Sequence, residues 1–216
     1  MNTLKVALIS SAIALSAGAS SAANLIVNGG FNVGGTLNGG FQTPGVGSSA
    51  LAGWTIYFGN VDWITGYWQS SDGDGFSVDM DGTTRGGISQ TINTVIGKTY
   101  NLTFDMSGNP DAGPDTDTLN VFADVFLPDA TYTVGGSNSR SNMGWSQRSY
   151  TFTANATSTV IAFQSDSRNL CCYGAAIDNV SVSGAVPEPA TWGMMILGFG
   201  AAGSMIRRRK MVSAAA

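Results

Sequence analysis

The side chains that most often carry out acid-base or nucleophilic chemistry are scarce in this chain of 216 residues. It contains no histidine, which excludes Ser-His-Asp and Cys-His catalysis, an imidazole base and histidine-ligated zinc. Its only glutamate is Glu188, near the C-terminus, so the body of the chain lacks the Glu–Glu or Glu–Asp pair of most glycosidases. Aspartate, lysine, tyrosine and two cysteines remain. The sequence therefore predicts that the protein is not an enzyme.

The aspartates include three closely spaced pairs, which are Asp72/Asp74, Asp79/Asp81 and Asp115/Asp117. On a strand, residues i and i+2 point to the same face, and two adjacent carboxylates repel unless a cation or a donor neutralises them. Oxygen-preferring divalent cations suit such pairs, but none of the three fits the calcium-loop pattern with its glycine and glutamate. Solvated turn carboxylates are the simpler interpretation, and an Asp-based hydrolase is the least favoured alternative.

Aromatic side chains cluster between positions 54 and 68. Sugar rings have apolar C–H faces that dock on flat aromatic surfaces, while polar neighbours bind the hydroxyl groups. Trp54 is assigned to the core because Gly53-Trp54 begins a predicted strand. The remaining pattern predicts a carbohydrate-binding site made of Trp63, Tyr67, Trp68, Asp62, Gln69 and Asp72. Ordinary core or interface packing of the same rings is the alternative.

The only two cysteines, Cys171 and Cys172, are adjacent. Their Cα atoms are about 3.8 Å apart, below the usual disulfide range of about 4.4–6.8 Å, so they can bridge each other only as a strained ring. In an oxidising compartment a free pair is disfavoured. A vicinal disulfide is slightly favoured over intermolecular cross-links and over capture by a thiol-exchange system.

The N-terminal segment has the three parts of an export signal. Lys5 gives a positive start, residues 6–17 are apolar, and Ser21-Ala22-Ala23 provides small residues before a cut after Ala23. Twelve apolar residues are too few to span a bilayer, which takes about 20. Residues 1–23 are therefore predicted to be a signal peptide.

The C-terminal segment predicts a membrane anchor over residues 185–210. Pro187-Glu188-Pro189 precedes an uncharged stretch over 190–206 that contains Trp192, followed by a basic end at 207–210 with Arg207, Arg208 and Arg209. A helix of this length spans about 25 Å, near the lower limit for a transmembrane helix. The basic end is expected to stay in the cytoplasm and the body of the chain outside.

This tail resembles the PEP-CTERM sorting signal of Gram-negative bacteria. The resemblance rests on the Pro-Glu-Pro string, the glycine-bearing apolar stretch and the terminal arginines. It implies that an exosortase-type protease recognises and removes the tail. The protein would then pass from an inner-membrane intermediate to the cell surface or the extracellular matrix.

The body between the two ends is acidic. Residues 24–186 contain five basic residues and thirteen aspartates, a net charge of −8 against −4 for the whole chain. So few cations argue against nucleic acid as a partner. The charge is compatible with neutral polysaccharide and with divalent cations.

Alternating apolar and polar residues predict an all-β fold for residues 24–184. Tyr100, Leu102, Phe104 and Met106 alternate with polar residues, and residues 119–127 repeat the pattern. Further predicted strands are 25–27, 54–58, 76–80, 88–91, 148–154, 159–164 and 176–182, separated by short Gly, Pro, Asn and Asp clusters. Residues 29–52 are predicted to be a long loop. Many short strands at this spacing favour a jelly-roll-like β-sandwich.

Several strings in the body resemble the choice-of-anchor C family, at 24–31, 53–54, 77–82, 86–91, 97–100, 104–105, 108–110, 143–145 and 176–182. The module also looks like plant cell-wall proteins of a related, uncharacterised domain family, and both resemble galactose-binding-like jelly rolls. These resemblances imply a carbohydrate-binding or matrix role. In related sugar-binding jelly rolls a glutamate after the first strand and an aspartate near the last bind a structural calcium. Here the corresponding residues are Asn32 and Asp178, and the neutral asparagine would weaken that Ca²⁺ site.

The sequence as a whole predicts an exported β-sandwich protein, sorted to the surface or the matrix, that binds carbohydrate and is associated with exopolysaccharide. The alternative is a structural or adhesion protein of the matrix that contacts other proteins and has no sugar site.

Overall fold

The computed structural model describes residues 23–166, 172–184, 193 and 196–200. Within these residues the chain forms two antiparallel sheets that pack face to face, and the predicted all-β sandwich is confirmed. All but the last residue of the predicted signal peptide, Cys171 and most of the sorting segment lie outside the described residues. Residues 196–200 are helical, and among the described residues no helix has the length and apolarity needed to cross a membrane.

The first sheet contains six strands in the order β1-β3-β4-β12-β6-β10. These strands are β1 (Gly40–Gln42), β3 (Asp62–Thr65), β4 (Phe76–Asp79), β6 (Thr99–Gly108), β10 (Ser146–Thr153) and β12 (Ala175–Gly184). A 3₁₀ helix, Pro110–Ala112, follows β6.

The second sheet has the order β2-β5-β11-β7-β8, with β9 also paired to β7. Its strands are β2 (Thr55–Phe58), β5 (Gly87–Asn93), β7 (Thr116–Ala123), β8 (Val125–Phe126), β9 (Ala130–Thr133) and β11 (Ser158–Ser165).

Strand β6 shows why the sequence folds as two layers. Its four alternating apolar residues, Tyr100 to Met106, are at most 3% exposed and point between the sheets, while the polar residues face outward. Phe104 meets Phe163 of the second sheet edge to face, with ring centroids 4.9 Å apart. The predicted alternation over residues 100–106 is therefore confirmed.

The N-terminal and C-terminal segments of the sandwich lie next to each other. The backbone N–H of Leu25 donates to the Val182 carbonyl over 2.8 Å, and the side chain of Asn24 accepts from the Val182 N–H over 2.9 Å. Residues 25–27 nevertheless do not form the predicted strand, because beyond Leu25 the N–H of Val27 donates to the side chain of Gln90 rather than to a neighbouring strand. Strands β1, β3 and β9 were not predicted from the sequence.

A second, smaller apolar cluster lies on the outer face of the first sheet. It consists of Ile64, Trp68, Met143 and Ala176, with Tyr67 and Trp145 packed against it. Two loops cover the sheet here, one between β3 and β4 and one between β9 and β10. They are joined because Gln69 donates its N–H to the Arg140 carbonyl and Trp145 Nε1 donates to the Gln69 carbonyl. These loops form one wall of the site described next.

Candidate functional site

A cleft of about 560 Å³ lies on the outer face of the first sheet, beside the covering loops. Its aromatic lining is Phe41, Tyr67, Trp68 and Tyr173, and its polar lining is Thr43, Asp62, Asp79, Thr83, Asn109, Asp111 and Arg140. A volume of this size and a lining of rings with a few polar groups are typical of sites for small polar ligands.

Strand pairing places part of this lining. Phe41 of β1 pairs with Ile64 of β3, and Asp62 of β3 pairs with Asp79 of β4. Residues opposite each other on neighbouring strands point to the same face, and this face is the outer one because Trp63 between them belongs to the core. The alternation of β3 therefore brings Asp62 and Ile64 into the cleft and excludes Trp63 from it.

Three aromatic rings give the cleft its exposed apolar surface. Phe41 is 47% exposed and Tyr173 is 42% exposed, while Tyr67 is half-buried. The rings of Phe41 and Tyr67 meet edge to face with centroids 5.2 Å apart. The guanidinium carbon of Arg140 lies 4.0 Å from the Tyr67 ring centroid, so this cation covers one face of the ring.

Asp111 joins the aromatic and charged parts of the cleft. Tyr67 Oη donates to Asp111 Oδ2 over 2.9 Å, and Arg140 donates to both carboxylate oxygens, with the shortest bond, from Nη2, at 2.8 Å. The hydrogen bonds from Arg140 are the main cause that lowers the pKa of Asp111 below its usual value. The Asp111 carboxylate thus holds the Tyr67 hydroxyl in place and neutralises the charge of Arg140 in the cleft.

Asp79 forms the floor of the cleft as a structural anchor. It has no exposed surface, and its carboxylate accepts hydrogen bonds from the N–H groups of Asp81 and Gly174 and from Asn109 Nδ2. Burial raises the pKa of Asp79 well above the usual range of an aspartate. Half-buried Asp62, its partner across the strands, accepts from Thr43 Oγ1 over 2.6 Å. Because Asp79 is enclosed, the Asp62–Asp79 pair does not present two carboxylates to a substrate.

Two of the predicted sugar-stacking residues are buried, and the structure corrects the assignment of Trp63, which belongs to the main core. Trp63 is 4% exposed and donates its Nε1–H to the Phe31 carbonyl over 2.9 Å, inside the main core. Trp68 is 5% exposed and donates to Ser77 Oγ over 2.9 Å, in the smaller cluster. Neither indole offers a free face to a ligand, although an edge of Trp68 reaches the cleft. Of the predicted residues, Asp62, Tyr67 and Trp68 line the cleft.

The predicted polar partners Gln69 and Asp72 do not line the cleft and stabilise turns instead. Gln69 Oε1 accepts from the Met143 N–H over 3.3 Å, which holds the covering loops together. Asp72 Oδ1 accepts from the Asp74 N–H over 2.9 Å and from Ser70 Oγ over 3.2 Å. Its carboxylate therefore stabilises the local turn over residues 70–74.

The predicted calcium ligands have separate hydrogen-bond partners. Asn32 Nδ2 donates to Asp74 Oδ2 over 2.7 Å, whereas buried Asp178 accepts from the N–H groups of Ser71 and Asn179. Burial is the main cause that raises the pKa of Asp178 to about 7. Within residues 23–166 and 172–184, three or more acidic or cysteine side chains nowhere converge as a metal site. The Ca²⁺ site at Asn32 and Asp178 therefore stays a prediction.

Cys172 lines the cleft and is disulfide-bonded. Its backbone has a φ of 80°, which is uncommon for a residue other than glycine, and its carbonyl accepts from Asn109 Nδ2 over 3.4 Å. The expected partner, Cys171, lies outside the described residues, so the vicinal bridge stays a prediction.

Sequence reasoning missed the cleft residues that are distant in the chain. Phe41 falls in the stretch that is predicted to be a loop, and Tyr173 and Arg140 lie in other loops. A local signal existed only for Tyr173, an aromatic residue directly after the cysteine pair. Phe41 lies on β1, a short edge strand that pairs with β3 alone among the described strands.

Comparisons with known proteins match two parts of the chain, the β-sandwich and the C-terminal segment. Residues 24–183 match the family described as "Protein of unknown function (DUF642)", and residues 185–210 match the "PEP-CTERM protein-sorting motif". The sorting motif indicates a secreted, surface-sorted protein that transits the membrane and is processed by an exosortase-type system. The predicted PEP-CTERM resemblance is confirmed.

Among curated proteins the chain is similar to Halomucin of Haloquadratum walsbyi (strain DSM 16790 / HBSQ001), with 29% identity over 169 residues. The match covers 74% of this chain and only 2% of Halomucin.

Among solved structures, "Native structure of a family 35 carbohydrate binding module from Clostridium thermocellum" matches with 15% identity and a TM-score of 0.44, over 67% of this chain and 99% of that one. "Family 16 Carbohydrate Binding Module-2" matches with 17% identity and a TM-score of 0.44, over 74% of this chain and 99% of that one. These scores carry no argument about ligands. By the match over residues 24–183, the chain belongs to the DUF642 family.

Proposed function

We propose that this chain is an exported protein that binds polysaccharide in the cleft between Phe41, Tyr67 and Tyr173. A signal peptide at residues 1–23 would direct its export from a Gram-negative cell, and an exosortase would remove the tail. The protein would then associate with exopolysaccharide at the surface or in the matrix. The placement among choice-of-anchor C proteins and the relation to plant cell-wall modules belong to the same proposal.

The observation that carries the proposal is the juxtaposition of exposed rings and fixed polar groups in one cleft. Phe41 and Tyr173 expose nearly half of their surface, which is the flat apolar surface that the C–H face of a sugar ring needs. Asp62 and Thr83 stand beside them and can bind hydroxyl groups. Asp62 is placed by its strand pairing with Asp79, and Thr83 Oγ1 accepts from Asn60 Nδ2 over 2.7 Å, so little ordering is needed on binding.

The charges of the cleft favour a neutral glycan. Among its described lining residues Arg140 is the one cation, and Asp111 already binds it through both carboxylate oxygens. Asp62 adds a negative charge that no cation in the described lining neutralises. A uronate-rich polysaccharide would meet this charge with its own carboxylates and be repelled.

Binding should depend on the two exposed rings. We expect Phe41→Ala and Tyr173→Ala each to weaken binding to a neutral polysaccharide by about tenfold, because each removes an aromatic contact worth more than about 1 kcal/mol. The measurement is affinity gel electrophoresis and calorimetry of the protein purified after export, first across a glycan array and then on the polysaccharides that bind.

Phe58→Ala is the matched control for this experiment. Phe58 is 42% exposed, similar to Phe41, but lies on β2 of the other sheet. Its substitution is expected to leave affinity unchanged. Equal binding by the Phe41→Ala variant and the Phe58→Ala variant would contradict the cleft as the site. Failure to bind any glycan, with or without calcium, would contradict the proposed function as a whole.

A further inference from the structure

A second groove lies on the outer face of the second sheet, on the opposite side of the sandwich from the cleft. Its volume is about 450 Å³. Register pairing aligns Ser89 of β5, Ala162 of β11, Phe122 of β7 and Phe126 of β8 in one row across the sheet. Their neighbours along the strands, Ile88, Ile161 and Val121, are fully buried in the core, so this row points outward.

The groove has a floor of small side chains and walls of aromatic rings. Ser89 and Ala162 form the middle of the row, Tyr57 lies on one side, and Phe122 and Phe126 lie on the other. Strands in a sheet are about 4.8 Å apart, so the three strand spacings from β2 to β7 separate the walls by about 14 Å. This depression is open to solvent and has ring faces on both sides.

The structure holds the Tyr57 wall in place. Tyr57 Oη donates to Gln164 Oε1 over 3.1 Å, and a Cβ atom placed on Gly87 would lie 2.9 Å from Tyr57 Cζ. The ring therefore lies directly over Gly87, at a position where any larger side chain would displace it. It is still 40% exposed.

The opposite wall is a pair of phenylalanines. The rings of Phe122 and Phe126 have centroids 4.3 Å apart, and Phe126 is 66% exposed. Phe126 belongs to β8, a two-residue edge strand directly after Asp124, whose φ is 57°. This turn directs the exposed ring back over the sheet rather than away from it.

The charge of the groove selects the class of ligand. Asp124 is the one carboxylate among its described lining residues, which include no cation, and its Oδ1 already accepts from the Val160 N–H over 2.9 Å. Phosphate, uronate or nucleic acid would find no positive partner here. The hydroxyl of Ser89 and the amide of Gln164 can bind hydroxyl groups, and the rings can stack on apolar C–H faces. An uncharged glycan chain fits all of these features.

We propose that this groove is a second glycan-binding site, formed by Tyr57, Phe122, Phe126, Ser89 and Gln164, so that one molecule bridges two neutral polysaccharide chains. The groove is argued from its own residues, whereas the bridging rests also on the proposed function of the cleft. Two sites on opposite faces of one sandwich cannot both bind the same short glycan segment, so bivalent binding joins separate chains or distant parts of one chain.

The experiment uses the protein purified after export and three soluble neutral probes, which are dextran, hydroxyethyl cellulose and a β-1,3-glucan. Calorimetry measures the number of sites and their affinities, and glycan-coated beads measure bridging by agglutination. With the probe that binds, the double variant Tyr57→Ala/Phe126→Ala is expected to bind at the groove at least about tenfold more weakly and to stop agglutinating the beads. Its binding at the cleft is expected to be unchanged. The Phe41→Ala variant is expected to retain the groove.

Two further variants keep the result interpretable. Ser89→Gln fills the floor without removing a ring and is expected to lower groove affinity as the double variant does. Phe58→Ala, the exposed phenylalanine outside both sites, is expected to retain full agglutination. Thermal unfolding of each variant is expected to stay close to that of the wild type, because Tyr57 and Phe126 are exposed and Ser89 is half-buried.

Unchanged site number and agglutination in both groove variants would overturn the second site. The second site would also be overturned if sedimentation equilibrium found a wild-type dimer that Phe126→Ala converts to a monomer. The groove would then be an interface between copies of this chain. Groove binding that persists beside an inactive cleft would contradict the proposed function and leave the second site standing. Cleft binding that persists without any groove binding would overturn the second site and leave the proposed function standing.

Discussion

Replacing Trp63 by alanine is expected to lower the free energy of unfolding by about 3–5 kcal/mol while leaving the glycan affinity of the folded protein unchanged. The indole is 4% exposed and packs on Phe76 with ring centroids 6.3 Å apart. Its loss would leave a large cavity between the sheets. It would also leave the Phe31 carbonyl, which accepts from Trp63 Nε1, without that buried donor. Urea denaturation followed by circular dichroism measures the change.

Tyr173→Ala is the counterpart of this variant. Tyr173 is 42% exposed in the cleft, so its substitution is expected to change stability by less than about 0.5 kcal/mol and to weaken binding instead. The two variants thus separate a tryptophan of the core from a tyrosine of the site. If Trp63→Ala weakened binding without destabilising the protein, the assignment of Trp63 to the core would be wrong.

The buried carboxylate of Asp117 is expected to make the protein less stable at neutral pH than at about pH 4. Asp117 of β7 is 2% exposed, and burial, followed by the nearby carboxylates Asp115 and Asp81, raises its pKa to about 7. An aspartate in the unfolded chain has a pKa of about 3.9, so the folded state binds the proton more tightly. Below about pH 4 both states are protonated and Asp117 contributes no cost. As the pH rises from about 4 to 7, ionisation favours the unfolded state and stability falls.

Asp117→Asn should remove this dependence at one position. We expect the variant to be more stable than the wild type by about 2–4 kcal/mol at pH 8 and nearly equal at pH 4, since each pKa unit corresponds to about 1.4 kcal/mol. Asp178, whose pKa is also raised to about 7 by burial, keeps part of the slope in the variant. Urea unfolding at pH 4, 6 and 8 tests this, and a constant difference across the three values would contradict it.

The fold could be predicted because its signal is local. Residues 100–106 alternate strictly, and the buried residues of β6 are those that the alternation assigns to the core. The same rule fails for β3, where Asp62, Trp63 and Ile64 do not read as alternating apolar and polar residues because the outer face is itself covered by Trp68 and Met143. A strand buried on both faces has no polar side to reveal its period.

The site could be predicted only in part because it is assembled from distant segments. Tyr67 and Asp62 were found from their place in an aromatic cluster, but that cluster contains both core and cleft residues. Whether an aromatic residue faces the core depends on its strand register, and Trp63 is separated from Asp62 by one position. Arg140 and Tyr173 reach the cleft through loops whose placement depends on contacts such as that between Gln69 and the Arg140 carbonyl. A single sequence contains no signal for such long-range contacts.

The hydrogen bonds between the first and last residues of the sandwich have a consequence for how the module can be used in longer proteins. Because Leu25 and Val182 are bonded neighbours, a polypeptide that enters the domain leaves it again at almost the same point. Such a domain can be inserted into a loop of a host protein without stretching that loop apart.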